Sequence, residues 1–168
     1  YLFTFSFRAD GSSKFGPDHR WGYFPSVAAG WRVTEENFLK GKVAWLDNLK
    51  IRGSWGQIGN DKISNYRYFA LVNVDPNFDA VFNGVYYPGA TVTSLYNRSI
   101  HWERSEQYDV GFDLGVLNNR LTVEFDFYNR KTKDMLVTVE VPGAVGLTPV
   151  ETNVGSVTNR GADFTVTW

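Results

Sequence analysis

The side chains that could do chemistry in this chain are scattered along it. His19 and His101 are its only histidines, cysteine is absent, and both histidines sit in stretches of loop composition. A metal centre needs three or four convergent ligands, so two distant histidines without a thiolate predict none. Ser, Asp and Glu are plentiful, yet no nucleophile-elbow pattern surrounds any serine. Gly53, Gly56 and Gly59 recur every third residue, but no helix follows to receive a dinucleotide. Asp75-Pro76-Asn77-Phe78-Asp79 alternates oxygen ligands in the manner of a calcium loop. Ala80 then stands where the sharp-turn glycine belongs, and no glutamate closes the loop at its twelfth position. Asn97-Arg98-Ser99 fits a glycosylation acceptor, a signal of little weight. No catalytic residue, cofactor or metal is expected.

Two other groups of residues carry more promise. Asp113, Glu124 and Asp126 fall on one face of an alternating hairpin, where opposed carboxylates repel unless a cation or water neutralises them. Lys50 and Arg52 lie on the polar face of the strand expected beside it. A second group, Phe78, Phe82, Tyr86, Tyr87 and Tyr96, lies among Asn, Asp and Gly in the segment 59–101. Aromatic faces with polar neighbours suit sugar rings or peptides, or equally the packing of the loop against itself.

The element that must position the acids is the stretch 102–135. Tyr108, Val110, Phe112, Leu114 and Val116 alternate with Asp109, Gly111, Asp113 and Gly115; Leu121, Val123, Phe125 and Phe127 alternate with Thr122, Glu124 and Asp126. Successive side chains of a strand point to opposite faces, so each arm has one apolar and one polar face. A two-residue turn at Asn118-Asn119 pairs Val116 with Leu121, Phe112 with Phe125 and Val110 with Phe127, and Asn tolerates the left-handed backbone required. The same register sets Asp113 opposite Glu124 and Gly111 opposite Asp126. A slip of one residue would put carboxylates among phenylalanines.

Each arm runs about 14 residues, whereas soluble strands usually stop near five or six. A tilted strand needs roughly 9 to 11 residues to cross a bilayer. Strands are expected near 1–9, 22–33, 49–58, 102–116, 121–135 and 158–168, with weak helical periodicity only around 35–46. No stretch is apolar enough for a membrane-spanning helix, and aromatics reach 17% of residues, which suits lipid-facing strands. Net charge is -1, which argues against a nucleic-acid partner. Membrane barrels alternate short inner turns with long outer loops. Placing Asn118-Asn119 in the periplasm makes 10–21, 59–101 and 136–157 extracellular, and leaves 34–48 as an overlong inner turn. Tyr23, Trp55 and Trp102 then fall near the outer rim, and Trp31 and Trp45 near the inner one. The chain opens and closes in mid-alternation, as a cut piece would, although Trp168 at the end of an alternating strand also resembles the final strand of an outer-membrane protein.

Five runs, in order, resemble the SusC/RagA-like branch of TonB-dependent outer-membrane transporters. They are Tyr23-Phe24-Pro25-Ser26-Val27-Ala28-Ala29-Gly30-Trp31-Arg32, Leu49-Lys50-Ile51-Arg52-Gly53-Ser54-Trp55-Gly56-Gln57-Ile58-Gly59-Asn60, and Trp102-Glu103-Arg104-Ser105-Glu106-Gln107-Tyr108-Asp109-Val110-Gly111-Phe112-Asp113. Phe127-Tyr128-Asn129-Arg130-Lys131-Thr132-Lys133-Asp134-Met135-Leu136 and Asn153-Val154-Gly155-Ser156-Val157-Thr158-Asn159-Arg160-Gly161-Ala162-Asp163 complete the set. The resemblance implies an all-β, antiparallel transmembrane barrel of 22 strands, of which residues 1–168 would supply about six, mid to late in the order. It also implies a Gram-negative outer membrane, a plug pulled by the TonB complex, a SusD-like surface lipoprotein lid, and oligosaccharide or peptide substrates. Lys50, Arg52, Asp113, Glu124 and Asp126 would then form a lumenal network that seats the plug. The residues alone leave two other classes open: a soluble β-sandwich that binds carbohydrate through its loop aromatics, and an enzyme or adhesin on a smaller closed barrel.

Overall fold

The protein is described here by a computed structural model covering residues 1–168. Six long strands carry it: β1 (Leu2–Gly11), β2 (Trp21–Arg32), β3 (Leu46–Asn60), β8 (Glu103–Val116), β9 (Leu121–Lys133) and β12 (Ser156–Thr167). They pair antiparallel in the order β1-β2-β3-β8-β9-β12, as neighbours along the chain, with β1 and β12 as open edges. Of the strands between them, β4 (Val72–Val74) pairs with β7 (Ala90–Val92), β5 (Ala80–Phe82) with β6 (Val85–Tyr87), and β10 (Leu136–Val139) with β11 (Val150–Asn153).

The expected register of the β8–β9 hairpin holds at every pair, from Val116–Leu121 through Phe112–Phe125 to Val110–Phe127. Its turn takes one more left-handed residue than the Asn118-Asn119 pair alone would need. Leu117, Asn118 and Asn119 all take left-handed backbone, with φ of 58°, 58° and 57°. The Arg120 N–H closes the turn on the Leu117 carbonyl at 3.3 Å, while the Leu117 N–H donates sideways to the Trp45 carbonyl at 3.2 Å. Asn119 N–H donates to the Asp47 carboxylate at 2.9 Å. A left-handed leucine costs about 1–2 kcal/mol, and these two bonds, to Trp45 just before β3 and Asp47 at its start, offset it.

Alternation gives the sheet two unlike faces. One carries, row by row across β3, β8, β9 and β12, Gly53-Val110-Phe127-Ala162, then Ile51-Phe112-Phe125-Phe164, then Leu49-Leu114-Val123-Val166. Phe3, Phe5 and Phe7 continue it on β1. The other face carries Ser54-Asp109-Tyr128-Gly161, Arg52-Gly111-Asp126-Asp163 and Lys50-Asp113-Glu124-Thr165. Nothing covers the apolar face: Phe3 is 72% exposed and Phe164 66%. Only 12 of 168 residues are buried, too few for a sandwich, whose inner faces must meet a second sheet.

What core there is sits at the loop end. Phe15, Phe24, Ile63, Ile100 and Trp102 form one buried cluster, with Tyr68 and Leu136 packed on it. Trp102 meets Phe15 at 5.3 Å and Phe24 at 5.5 Å between ring centroids, and its indole N–H donates to the Arg20 carbonyl at 3.1 Å. Its expected place in a rim of interfacial aromatics is therefore wrong; it pins the loops to the sheet. Tyr23 and Trp45 stay exposed, and Trp55 and Tyr108 are cross-strand partners at the end of the apolar face.

Two boundaries also differ from expectation. β3 begins at Leu46, not 49, because a bulge between Leu46 and Asn48 lets the strand continue past Asp47. Residues 35–46 form no α-helix; a 3-10 turn at Val33–Glu35 is followed by turns closed by Leu39 and Lys40 N–H on the Glu36 carbonyl. Thirteen residues between two paired strands leave no room for a helix with a buried face.

Candidate functional site

On the polar face Arg52 is the pivot. Its Nε donates to Asp113 Oδ1 at 2.8 Å, and its Nη2 reaches Asp126 Oδ2 at 2.7 Å. Lys50 Nζ adds a contact to Asp113 Oδ2 at 3.3 Å. These side chains come from three strands, and the reach from β3 to β9 crosses β8 at Gly111, the partner of both Arg52 and Asp126. A methyl group there would overlap Asp126 Oδ1 and lie 2.5 Å from the Phe125 carbonyl. Gly111 is thus the opening through which the guanidinium spans a strand. The signal in the sequence is a glycine that shares one face with an arginine on the strand before and an aspartate on the strand after.

This pivot engages one carboxylate of each like-charge pair on the face. Asp113 faces Glu124 across the β8–β9 ladder, and Asp126 faces Asp163 across β9–β12. Both pairs would repel if bare. Asp113 turns instead toward Lys50 and Arg52, and Asp126 toward Arg52. Glu124 joins neither and stands exposed. Of the five expected members, four meet and Glu124 does not.

The loop aromatics divide likewise. Asn83 and Gly84, with φ of 50° and 75°, turn β5 into β6. This Asn-Gly between apolar runs is a strong hairpin signal that sequence reasoning missed. Alternation places Tyr86 with Val81 on one face of the hairpin, and Phe82 with Tyr87 on the other, their rings 5.9 Å apart. Phe78 lies in the 3-10 turn leading into it, and Phe78, Phe82, Tyr86 and Tyr87 are all exposed. Tyr96 is elsewhere, under the Arg98 guanidinium at 5.8 Å.

The acids of the calcium-like run close the finger. Asp75 caps the turn by accepting from Asn77 N–H at 2.9 Å. Asp79 accepts from the Gly89 N–H at 2.7 Å and from the Tyr86 hydroxyl. That hydroxyl bond to the carboxylate raises the Tyr86 phenol above its ordinary range.

Asn153 ties two loops together. Its Nδ2 donates to the carbonyls of His101 at 2.8 Å and Asp134 at 2.9 Å, and its Oδ1 accepts the His101 N–H at 3.0 Å. The two histidines, distant in sequence, lie with rings 5.7 Å apart. His101 Nδ1–H donates to the Ser99 carbonyl at 2.8 Å, fixing one tautomer, and its Nε2 stands 3.8 Å from Asp134.

Known proteins share this architecture. The chain is 40% identical over 168 residues to the TonB-dependent receptor SusC of Bacteroides thetaiotaomicron, covering 99% of this chain and 17% of that protein. A TonB-dependent receptor of Formosa agariphila is 38% identical over 166 residues, with 99% and 15% covered. The solved structure of the RagAB peptide transporter superposes with a TM-score of 0.83 at 35% identity, over 98% of this chain and 17% of that one. The chain therefore spans about a sixth of the length of these relatives. Members of the matching family are outer-membrane proteins of Gram-negative bacteria. With the family model for the β-barrel described as TonB dependent receptor-like matching residues 1–168, a two-faced antiparallel sheet and these relatives, the chain belongs to the TonB-dependent receptor β-barrel family.

Proposed function

We propose that these six strands are a stretch of barrel wall in an outer-membrane active importer of oligosaccharides or peptides. The observation that carries the proposal is the uncovered apolar face, three full rows deep over four strands, backed by a face of charges and hydroxyls. Lipid is the natural cover for such a face, and a wet lumen for the other. The long connections 10–21, 59–101 and 136–157 lie outside the cell, and the Asn118-Asn119 turn and 34–48 in the periplasm. The Lys50–Arg52–Asp113–Asp126 network faces a plug elsewhere in the protein, which the TonB complex pulls. A SusD-like surface lipoprotein caps the extracellular end. The exposed aromatics of the 72–92 finger, Phe78, Phe82, Tyr86 and Tyr87, offer ring faces to passing sugars or peptides, with Tyr96 a separate contact.

The test is uptake by cells expressing the full-length protein, with labelled oligosaccharides in one arm and peptides in the other. Accumulation in one arm that vanishes when the inner-membrane energy complex is deleted supports the proposal. Accumulation in neither arm, or uptake indifferent to that deletion, overturns it.

A further inference from the structure

Above the apolar rows the outward face changes character. Arg104 and Lys133 are cross-strand partners; Lys131 faces Glu106 in the next row, and Arg160 faces Asn129 in the row after. All four cations are exposed. Gly59, Gln57 and Trp55 complete these rows on β3, and Ser156 and Thr158 on β12, so Glu106 is their only acid. Glu106 is already engaged, accepting from the Trp55 indole at 2.9 Å and the Tyr108 hydroxyl at 3.0 Å, with Lys133 Nζ at 3.4 Å. Arg160 is held by Asn129 Oδ1 at 3.2 Å. The patch keeps a surplus of three positive charges that the sheet does not neutralise.

Directly below lies an open apolar groove of about 530 Å³, lined by Leu49, Ile51, Val110, Phe112, Phe125 and Phe127. The Trp55–Tyr108 pair, ring centroids 6.4 Å apart, marks the boundary between groove and cations. An amphipathic ring is best solvated at such a boundary. Cations above and an acyl-sized trough below match an anionic amphiphile.

We propose that this surface binds a phosphorylated glycolipid of the outer leaflet, its phosphates on Arg104, Lys131, Lys133 and Arg160 and an acyl chain in the groove. The cations spread over about 10 Å across the strands and about 13 Å along them, too wide for one phosphate. Two phosphates on a sugar frame span that distance, and the uncharged Gln57, Asn129 and Thr158 between them suit its hydroxyls. The proposal rests on the orientation given above, in which this end of the sheet faces outward from the cell.

The full-length protein, purified in detergent, is offered bisphosphorylated lipid A, its monophosphorylated form and phosphatidylethanolamine, and retention is read by native mass spectrometry. Retention should fall in that order. Each of Arg104→Gln, Lys131→Gln, Lys133→Gln and Arg160→Gln should weaken capture of the first lipid about fivefold. Arg130→Gln, on the opposite face of β9, should leave it unchanged. Equal retention of all three lipids, or four substitutions without effect, overturns the proposal; the wild-type ranking decides the matter if a variant fails to fold. Tyr86→Cys, labelled in intact cells by an impermeant maleimide, reports the orientation separately, with Asn118→Cys as its counterpart. Labelling with no lipid preference sinks this inference alone, and no labelling at Tyr86 but labelling at Asn118 sinks the orientation.

Discussion

Replacing Gly111 with alanine tests how the polar face holds itself together. The new methyl would overlap Asp126 Oδ1 and stand 2.5 Å from the Phe125 carbonyl, a backbone atom locked in the β8–β9 ladder. Overpacking of this kind costs about 1–3 kcal/mol. Moving Asp126 aside also breaks its bond to Arg52, and a hydrogen bond to a charged group is worth about 1.5–3 kcal/mol. Arg52 and Asp126 are 32% and 23% exposed, so solvent screening keeps the second cost at the low end. Alanine recovers about 0.5 kcal/mol over glycine in a strand. The expected net loss is about 3 kcal/mol, read by urea unfolding of the full-length protein from lipid vesicles. Gly53→Ala is the control, because a methyl there meets only the Asp109 carbonyl at 3.8 Å. It should be neutral within about 0.5 kcal/mol. Equal stability of the two variants would refute the role given to Gly111, as would failure of Asp126→Ala to recover part of the Gly111→Ala loss.

Three further outcomes are expected. Asn153→Ala should release the 97–102 and 134–153 segments, removing three hydrogen bonds of about 1 kcal/mol each, and hydrogen exchange at the His101 amide should speed by at least tenfold. Trp102→Ala should cost about 3–5 kcal/mol of loop-cluster stability and expose the loops to protease, whereas Trp45→Ala, at an exposed site, should not. Because the Tyr86 phenol is raised, its bond to Asp79 is complete below the ordinary tyrosine range and is lost as pH rises through the elevated value. Difference spectra between wild type and Tyr86→Phe should show a phenol titrating late, and Asp79→Asn should return it to the ordinary range.

The register of β8–β9 was legible because alternation has a period of two and a slip is costly in charge. That Arg52 and Lys50 share the polar face of the neighbouring strand followed from the same alternation; which acid each one meets did not. Arg52's reach to Asp126 did not, because an arginine spanning a strand depends on a missing side chain, and Gly111 reads in one dimension as a weak point in a strand. Glu124 was assigned by its face alone, although solvent can satisfy a carboxylate as well as a cation can. Trp102 was misread for a related reason: a tryptophan at a strand end has the same sequence signature whether lipid or a loop covers it. The 35–46 periodicity failed because a short connection clamped between paired strands has no surface on which to bury a helix face. The Asn83-Gly84 hairpin is legible in its residues, a left-handed pair between two short apolar runs.

The central claim is that the Phe112–Phe125–Phe164 row meets lipid while the neighbouring Asp113–Glu124–Thr165 row meets water. Spin labels placed singly from Leu121 to Phe127 along β9 in the full-length protein, reconstituted in bilayers, test it directly. Collision with dissolved oxygen should peak at Leu121, Val123, Phe125 and Phe127, and collision with a water-soluble nickel chelate at Thr122, Glu124 and Asp126. A strand without that alternation, or with the two reagents exchanged, would contradict the account.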